Sequence, residues 1–201
     1  MRKKIEVEKM EKKKLAETFS LVLQPSAIAV LLYLVVSFSF ATGWRAWFFF
    51  LIGLLFVGIF PILLVVFLTK KGKVSDPDLP NREERFFPYL MICGLYLLAL
   101  VIFLLTSAPL PLVAITCCYL GVTFVGAIVS LFWKISLHLA GVAGPVTAMA
   151  MIISPYWAFL YLLLLPLGWA RIYLAKHDLY QVVAGSVMSI VITFIIVSSI
   201  V

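Results

Sequence analysis

The stretch "PYLMICGLYLLALVIFLLT", residues 88–106, carries no charged side chain and no alternation of polar with apolar positions. A helix of this length, rising about 1.5 Å per residue, matches the roughly 30 Å hydrocarbon core of a bilayer. Six further apolar runs lie outward from it, at 21–42, 46–68, 109–133, 137–153, 155–173 and 179–201. The runs at 137–153 and 155–173 are short and hold Pro145 and Pro166. With 64% hydrophobic and 12% charged residues, the chain lies outside the range of soluble domains, which keep near half their residues apolar. The expected fold class is therefore all-α, a polytopic transmembrane helical bundle of about six to seven spans. A β-barrel needs strands of alternating polarity, and these runs show none.

The run beginning at Leu21 is longer than a typical signal-peptide apolar region, and no small-x-small cleavage pattern follows it closely. It reads as a retained first span. Residues 1–20 form a charged N-terminal tail, or a helix on the membrane surface, ahead of a membrane domain at 21–201. With seven spans, the tail and the segments 69–87, 134–136 and 171–178 share one face, which holds every Lys and Arg except Arg45. Positive loops stay in the cytoplasm, so the N-terminus and the charged loops are expected on the cytoplasmic side, most naturally of the cell membrane. The net charge of +7 flanks the spans and forms no basic domain, which points to membrane lipids as partners and away from nucleic acid. Cys93, Cys117 and Cys118 lie inside apolar runs without metal-ligand spacing and read as small packing residues. Asp76 and Asp78, beside Pro77 and Pro80, read as turn formers. Glu83 and Glu84 read as solvated partners of Arg82 and Arg85.

Ionisable groups at membrane depth are costly and usually pair or mark a pathway. The chain has two histidines, each beside cations at the edge of a span. His138 follows Lys134 by one helical turn in "WKISLHLAG", and His177 follows Arg171 in "ARIYLAKHDLYQ". Arg82 and Arg85 of "NREERFFP" fall on the same predicted face. Such a set suits a phosphate. Arginine offers a planar fork that pairs with phosphate oxygens and stays charged. A neutral histidine can attack phosphorus and carry the phosphoryl group, while a second, protonated one donates to the leaving oxygen and then activates water.

These residues resemble a known family. The spacing from Arg171 to His177 is similar to the third motif of the type 2 phosphatidic acid phosphatase superfamily, which reads Ser-Arg, five residues, His, three residues, Asp. Ser136 to His138 resembles its second motif, Pro-Ser-Gly-His, and "NREERFFP" stands where its first motif, Lys, six residues, Arg-Pro, belongs. The resemblance covers about residues 70–201. It implies His177 as a nucleophile forming a phosphohistidine and His138 as the acid for the leaving group. Arg171, Arg82 or Arg85, Ser136 and Lys134 would hold the phosphate, with no metal and no cofactor. The departures are specific. Ala170 replaces the motif's Ser, Leu137 its Gly, and Asp78 its Lys. Gln181 stands where the family has the Asp that orients the nucleophile.

The expected activity is hydrolysis of a lipid mono- or diphosphate, of isoprenyl diphosphate or phosphatidate type, with the phosphorylated lipid as partner. The alternative is a non-catalytic lipid-phosphate binder or membrane assembly protein that keeps the fold without turnover.

Overall fold

The computed structural model describes residues 2–201, with side chains from residue 6 onward. Among the described residues the chain is helical, with no strand. In order the helices are α1 (Arg2–Val22), α2 (Pro25–Phe40), α3 (Gly43–Gly53), α4 (Phe60–Lys70), α5 (Phe86–Leu105), α6 (Leu110–Phe132), α7 (Leu137–Ile152), α8 (Leu164–Tyr173) and α9 (Leu179–Ile200). Four segments are long and apolar enough to cross a membrane: Gly43–Lys70, Arg82–Leu105, Leu110–Phe132 and Leu179–Ile200. A fifth follows if α1 and α2, bent by 42° at their junction, count as one. The runs at 137–153 and 155–173 fold differently from the others. The first is a helix of 16 residues, and the second a 3-10 segment, Pro155–Leu163, leading into the 10 residues of α8. Each helix is shorter than the roughly 20 residues a straight crossing needs.

Prolines shape these elements. Pro25 opens α2, where a missing N–H is tolerated. Pro61 falls just after a π-helical turn, Leu54–Ile59, that joins α3 to α4. A proline inside a helix removes one main-chain bond and crowds the preceding turn, and a widened turn relieves both. Gly72, at φ +67°, then stops α4 in a left-handed cap, with Lys73 N–H donating to Leu68 C=O at 3.0 Å.

The core forms where α2, α3, α5 and α6 meet. Tyr33, Phe49 and Phe103 are essentially inaccessible and pack ring against ring, and Tyr33 Oη lies 2.6 Å from Thr116 Oγ1. On the other side α7 lies between α2 and α9 with small residues at both contacts. A side chain at Gly141 would meet Pro25, and one at Gly144 would meet Ser189 Oγ. Ser189 Oγ in turn donates to Ala140 C=O at 2.8 Å, near the break that Pro145 makes in the α7 ladder. The charged N-terminal segment is helical and packs into the assembly: Phe19 meets Trp169 edge-on, and Ser20 is buried beside α8.

Candidate functional site

The turn after α8 brings Arg171 and His177 together. Lys176 N–H donates to Arg171 C=O at 3.0 Å, and Ala175 N–H to Ile172 C=O at 2.9 Å. This is a Schellman cap in which Ala175 takes the left-handed conformation, φ 53°, that glycine usually fills. His177 N–H also reaches Arg171 C=O, at 3.3 Å, so the chain folds back over the arginine. Asp178 then caps α9 by accepting from Gln181 N–H at 2.8 Å.

His138 comes from a different direction. The extended segment before α7 docks on the first turn of α9, where Ser136 N–H donates to Gln181 C=O at 3.1 Å. Gly185 permits this approach, because a Cβ there would collide with the Ser136 carbonyl. His138, one residue into α7, is thereby set beside the α8–α9 turn.

The third wall is the loop between α4 and α5. Asp76 makes the expected turn, its Oδ1 accepting from Asp78 N–H at 2.7 Å. Asp78 does not act as a turn former. Its carboxylate projects inward, 3.2 Å from Arg171 Nη2, 3.1 Å from Lys176 Nζ and 3.9 Å from His138 Nε2. Opposite charges across 93 positions of sequence have found each other, so a local reading of "SDPDLP" could not assign this role. Arg171 also donates through Nη1 to Ser20 Oγ of α1 at 2.8 Å, while its Nε, though buried, has no partner.

These groups line one cavity of about 590 Å³. Its charged and histidine lining, Glu17, Asp78, Arg85, His138, Arg171, Lys176 and His177, comes from loops and helix ends. Its apolar lining comes from the interior of the bundle and includes Leu32 of α2, Val65 of α4, Ile92 of α5, Ile115 of α6 and Ala148 of α7. The volume falls inside the range of about 300–1,000 Å³ common for small-molecule sites.

Of the residues picked from sequence, His138, His177, Arg171 and Arg85 converge on this cavity. Gln181 stands behind His177, its Oε1 2.9 Å from Nδ1. Arg85 is buried and engaged by main chain, donating from Nε to Leu79 C=O at 2.8 Å and from Nη1 to Ile135 C=O at 2.9 Å. It ties the α4–α5 loop to the segment before α7. Arg82, Lys134 and Ser136 are not among the lining side chains. Arg82 lies exposed, donating to Phe132 C=O and pairing with Glu83. Ser136 is fully buried with an unpartnered hydroxyl. Glu84 accepts from Ser75 and Asn81, and its carboxylate is not the partner of Arg85.

The electrostatics follow from burial and crowding. Burial pushes the Asp78 carboxyl up, but the neighbouring Arg171, His138 and Lys176 side chains outweigh it and hold the carboxyl below its ordinary value. Burial lowers His177 to about 4; the Gln181 hydrogen bond opposes the shift, and repulsion from Arg171, Arg85 and Lys134 adds to it. His177 is thus a neutral imidazole at physiological pH, with a lone pair available. Burial, then Arg85, Arg171 and Lys176, lower the Lys134 ammonium. Among the described residues, no group of three or more His, Cys, Asp or Glu side chains is arranged to hold a metal ion.

Four contributors escaped the sequence reading: Ser20, Asp78, Lys176 and Asp178. For Asp178 a signal existed, since Asp-x-x-Gln ahead of an apolar run is a helix-start pattern. Ser20 had none, because its partner Arg171 is far along the chain; Asp78 stood at the position of the first motif's Lys, which marked its place but not its charge. No protein-family model, curated protein or solved structure matches this chain.

Proposed function

We propose that this chain is an integral-membrane lipid phosphatase, a divergent relative of the type 2 phosphatidic acid phosphatases, acting on a lipid mono- or diphosphate. The observation that carries the reading is one cavity that joins Arg171, His138 and His177 to an apolar interior between the helices. A headgroup phosphate suits the first part and a hydrocarbon tail the second. Asp78 supports the same reading from within the molecule, because its carboxylate already sits as an anion among Arg171, Lys176 and His138. In this proposal an entering phosphate displaces it.

The chemistry then runs in two displacements. The His177 lone pair forms an N–P bond while the P–O bond to the lipid breaks, and His138 gives a proton to the departing oxygen. Arg171 balances charge on the phosphoryl oxygens. Water then attacks phosphorus with His138 accepting its proton, the N–P bond breaks, and phosphate leaves.

In the same proposal α7 and the Pro155–Tyr173 segment also traverse the bilayer, giving six to seven crossings. The charged loops and the site then face the cytoplasm, most naturally at the cell membrane, because 15 of the 16 Lys and Arg residues fall on that face.

Phosphate release from farnesyl diphosphate, phosphatidate and undecaprenyl diphosphate, measured in detergent or nanodiscs, tests the activity. Loss of release in His177→Ala is the expected result, and equal activity in that variant overturns it. A second reading is favoured by the occupied anion position itself: a lipid-phosphate binder without turnover. Lipid binding with no phosphate release, unchanged in Gln181→Asp, would establish that reading instead.

A further inference from the structure

We propose that Asp178 is a positioning residue that acts through Gln181 to dictate which nitrogen of His177 carries the proton. The inference rests on the phosphatase reading for its consequence, though its geometry stands alone. The Asp178 carboxylate accepts twice from Gln181, from the main-chain N–H at Oδ1, 2.8 Å, and from the side-chain Nε2 at Oδ2, 2.9 Å. An ionised carboxylate can only accept, so the Gln181 amide must turn its NH2 toward Asp178. Its Oε1 is then the atom 2.9 Å from His177 Nδ1. An amide oxygen also can only accept. Nδ1 therefore carries the hydrogen, and in the neutral ring Nε2 is left with the lone pair.

This arrangement accounts for glutamine at a position where the resembled motif has aspartate. A glutamine alone is ambiguous, since either end of its amide could meet the imidazole. Asp178 removes the ambiguity and lends its charge at one remove. When Nε2 bonds to phosphorus the ring becomes cationic, and Nδ1–H then donates to an oxygen polarised by the carboxylate behind it. Asp178 is solvent-exposed, so water screens part of that charge. The tautomer, which hydrogen-bond direction sets, is the larger effect.

A helix cap is the bland role for Asp178, and one substitution separates the two. Asparagine caps helices as well as aspartate does, so a capping role predicts that Asp178→Asn is silent. In that variant the side-chain NH2 that replaces Oδ2 faces the Gln181 NH2. The glutamine amide turns over, Nε2–H points at Nδ1, and the proton of His177 moves to its own Nε2.

The experiment is nitrogen NMR of the full chain with 15N-labelled histidine, in detergent or nanodiscs, with His138→Ala assigning the two rings. The wild type is expected to show His177 as the Nδ1–H tautomer, Asp178→Asn as Nε2–H, and Asp178→Asn with Gln181→Asp as Nδ1–H again. In parallel, kcat for lipid phosphate hydrolysis is expected to fall roughly 10–100-fold in Asp178→Asn with KM nearly unchanged, and to recover in the double variant. An unaltered Nδ1–H tautomer in Asp178→Asn overturns the proposal. Tautomer inversion in a chain that releases no phosphate from any lipid upholds it and overturns the phosphatase reading alone.

Discussion

The Asp78 carboxylate lies 3.2 Å from the Arg171 guanidinium at the charged end of the cavity, with both side chains largely out of solvent. Arg171 is thus held between Ser20 of α1 and Asp78 of the α4–α5 loop. Under the proposed function, Asp78 must leave that position for a phosphate to enter. Binding and stability therefore pull in opposite directions at Asp78.

Substituting Asp78→Asn should separate them. With the carboxylate charge gone, inorganic phosphate is expected to inhibit lipid hydrolysis about tenfold more tightly, equivalent to about 1.4 kcal/mol. The buried Arg171 loses its counter-charge, so thermal stability is expected to fall by roughly 1–3 kcal/mol. Inhibition by phosphate and unfolding in detergent measure the two effects. Weaker phosphate inhibition would mean that Asp78 helps to build the site and does not occupy it.

Arg82 and Arg85 are close in sequence but should behave differently. Arg85 is buried and supplies donors to Leu79 and Ile135 carbonyls, which otherwise lack those partners. Arg85→Ala is expected to destabilise the chain by several kcal/mol and to abolish activity through misplacement of His138 and Asp78. Two buried carbonyls left without donors, at about 1–3 kcal/mol each, set that scale. Arg82→Ala, at an exposed pair with Glu83, should change stability by less than about 1 kcal/mol. Unfolding midpoints of the two variants compare them directly.

Gly185 and Gly94 form a second contrast. An alanine at Gly185 would drive its methyl into the Ser136 carbonyl, which is main chain and cannot swing aside. The expected outcome is a loss of roughly 1–3 kcal/mol together with a lower kcat, since Ser136 leads into the helix bearing His138. At Gly94, inside α5, nothing lies within 4 Å of the added methyl. Gly94→Ala should be neutral or stabilising by up to about 1 kcal/mol through helix propensity. Thermal unfolding with kinetic assay distinguishes them, and equal effects would argue against the close approach at Gly185.

His177 predicts a pH dependence with a definite sign. Its folded-state value of about 4 lies below the ordinary 6.5, so between these pH values the unfolded chain binds a proton that the folded chain does not. The stability gained from neutral His177 is complete above about pH 6.5 and is lost as pH falls toward 4. The unfolding midpoint of the wild type should therefore drop more steeply over that interval than that of His177→Gln. Parallel curves would show that His177 titrates normally.

Helicity and lipid solubility were legible along the chain, because they depend on local composition and length. The uncharged run at 88–106 became α5, and the runs at 109–133 and 179–201 became α6 and α9 within a few residues of their breaks, while α1 ran on through the start of the 21–42 run and the 155–173 run divided into a 3-10 segment and α8. The pairing of His177 with Gln181 was equally local, since it spans only the cap of α9 and stands at the spacing of the resembled motif. Tertiary packing decided the rest. It brought Ser20 and Asp78 to Arg171, and it used Arg85 to hold main-chain carbonyls together while leaving Arg82 in solvent. It also seated Ser136 against Gly185, so that His138 and His177 line one cavity. Hydrophobic periodicity is written in neighbouring residues, but a charge buried among helices takes whichever partner the packing presents.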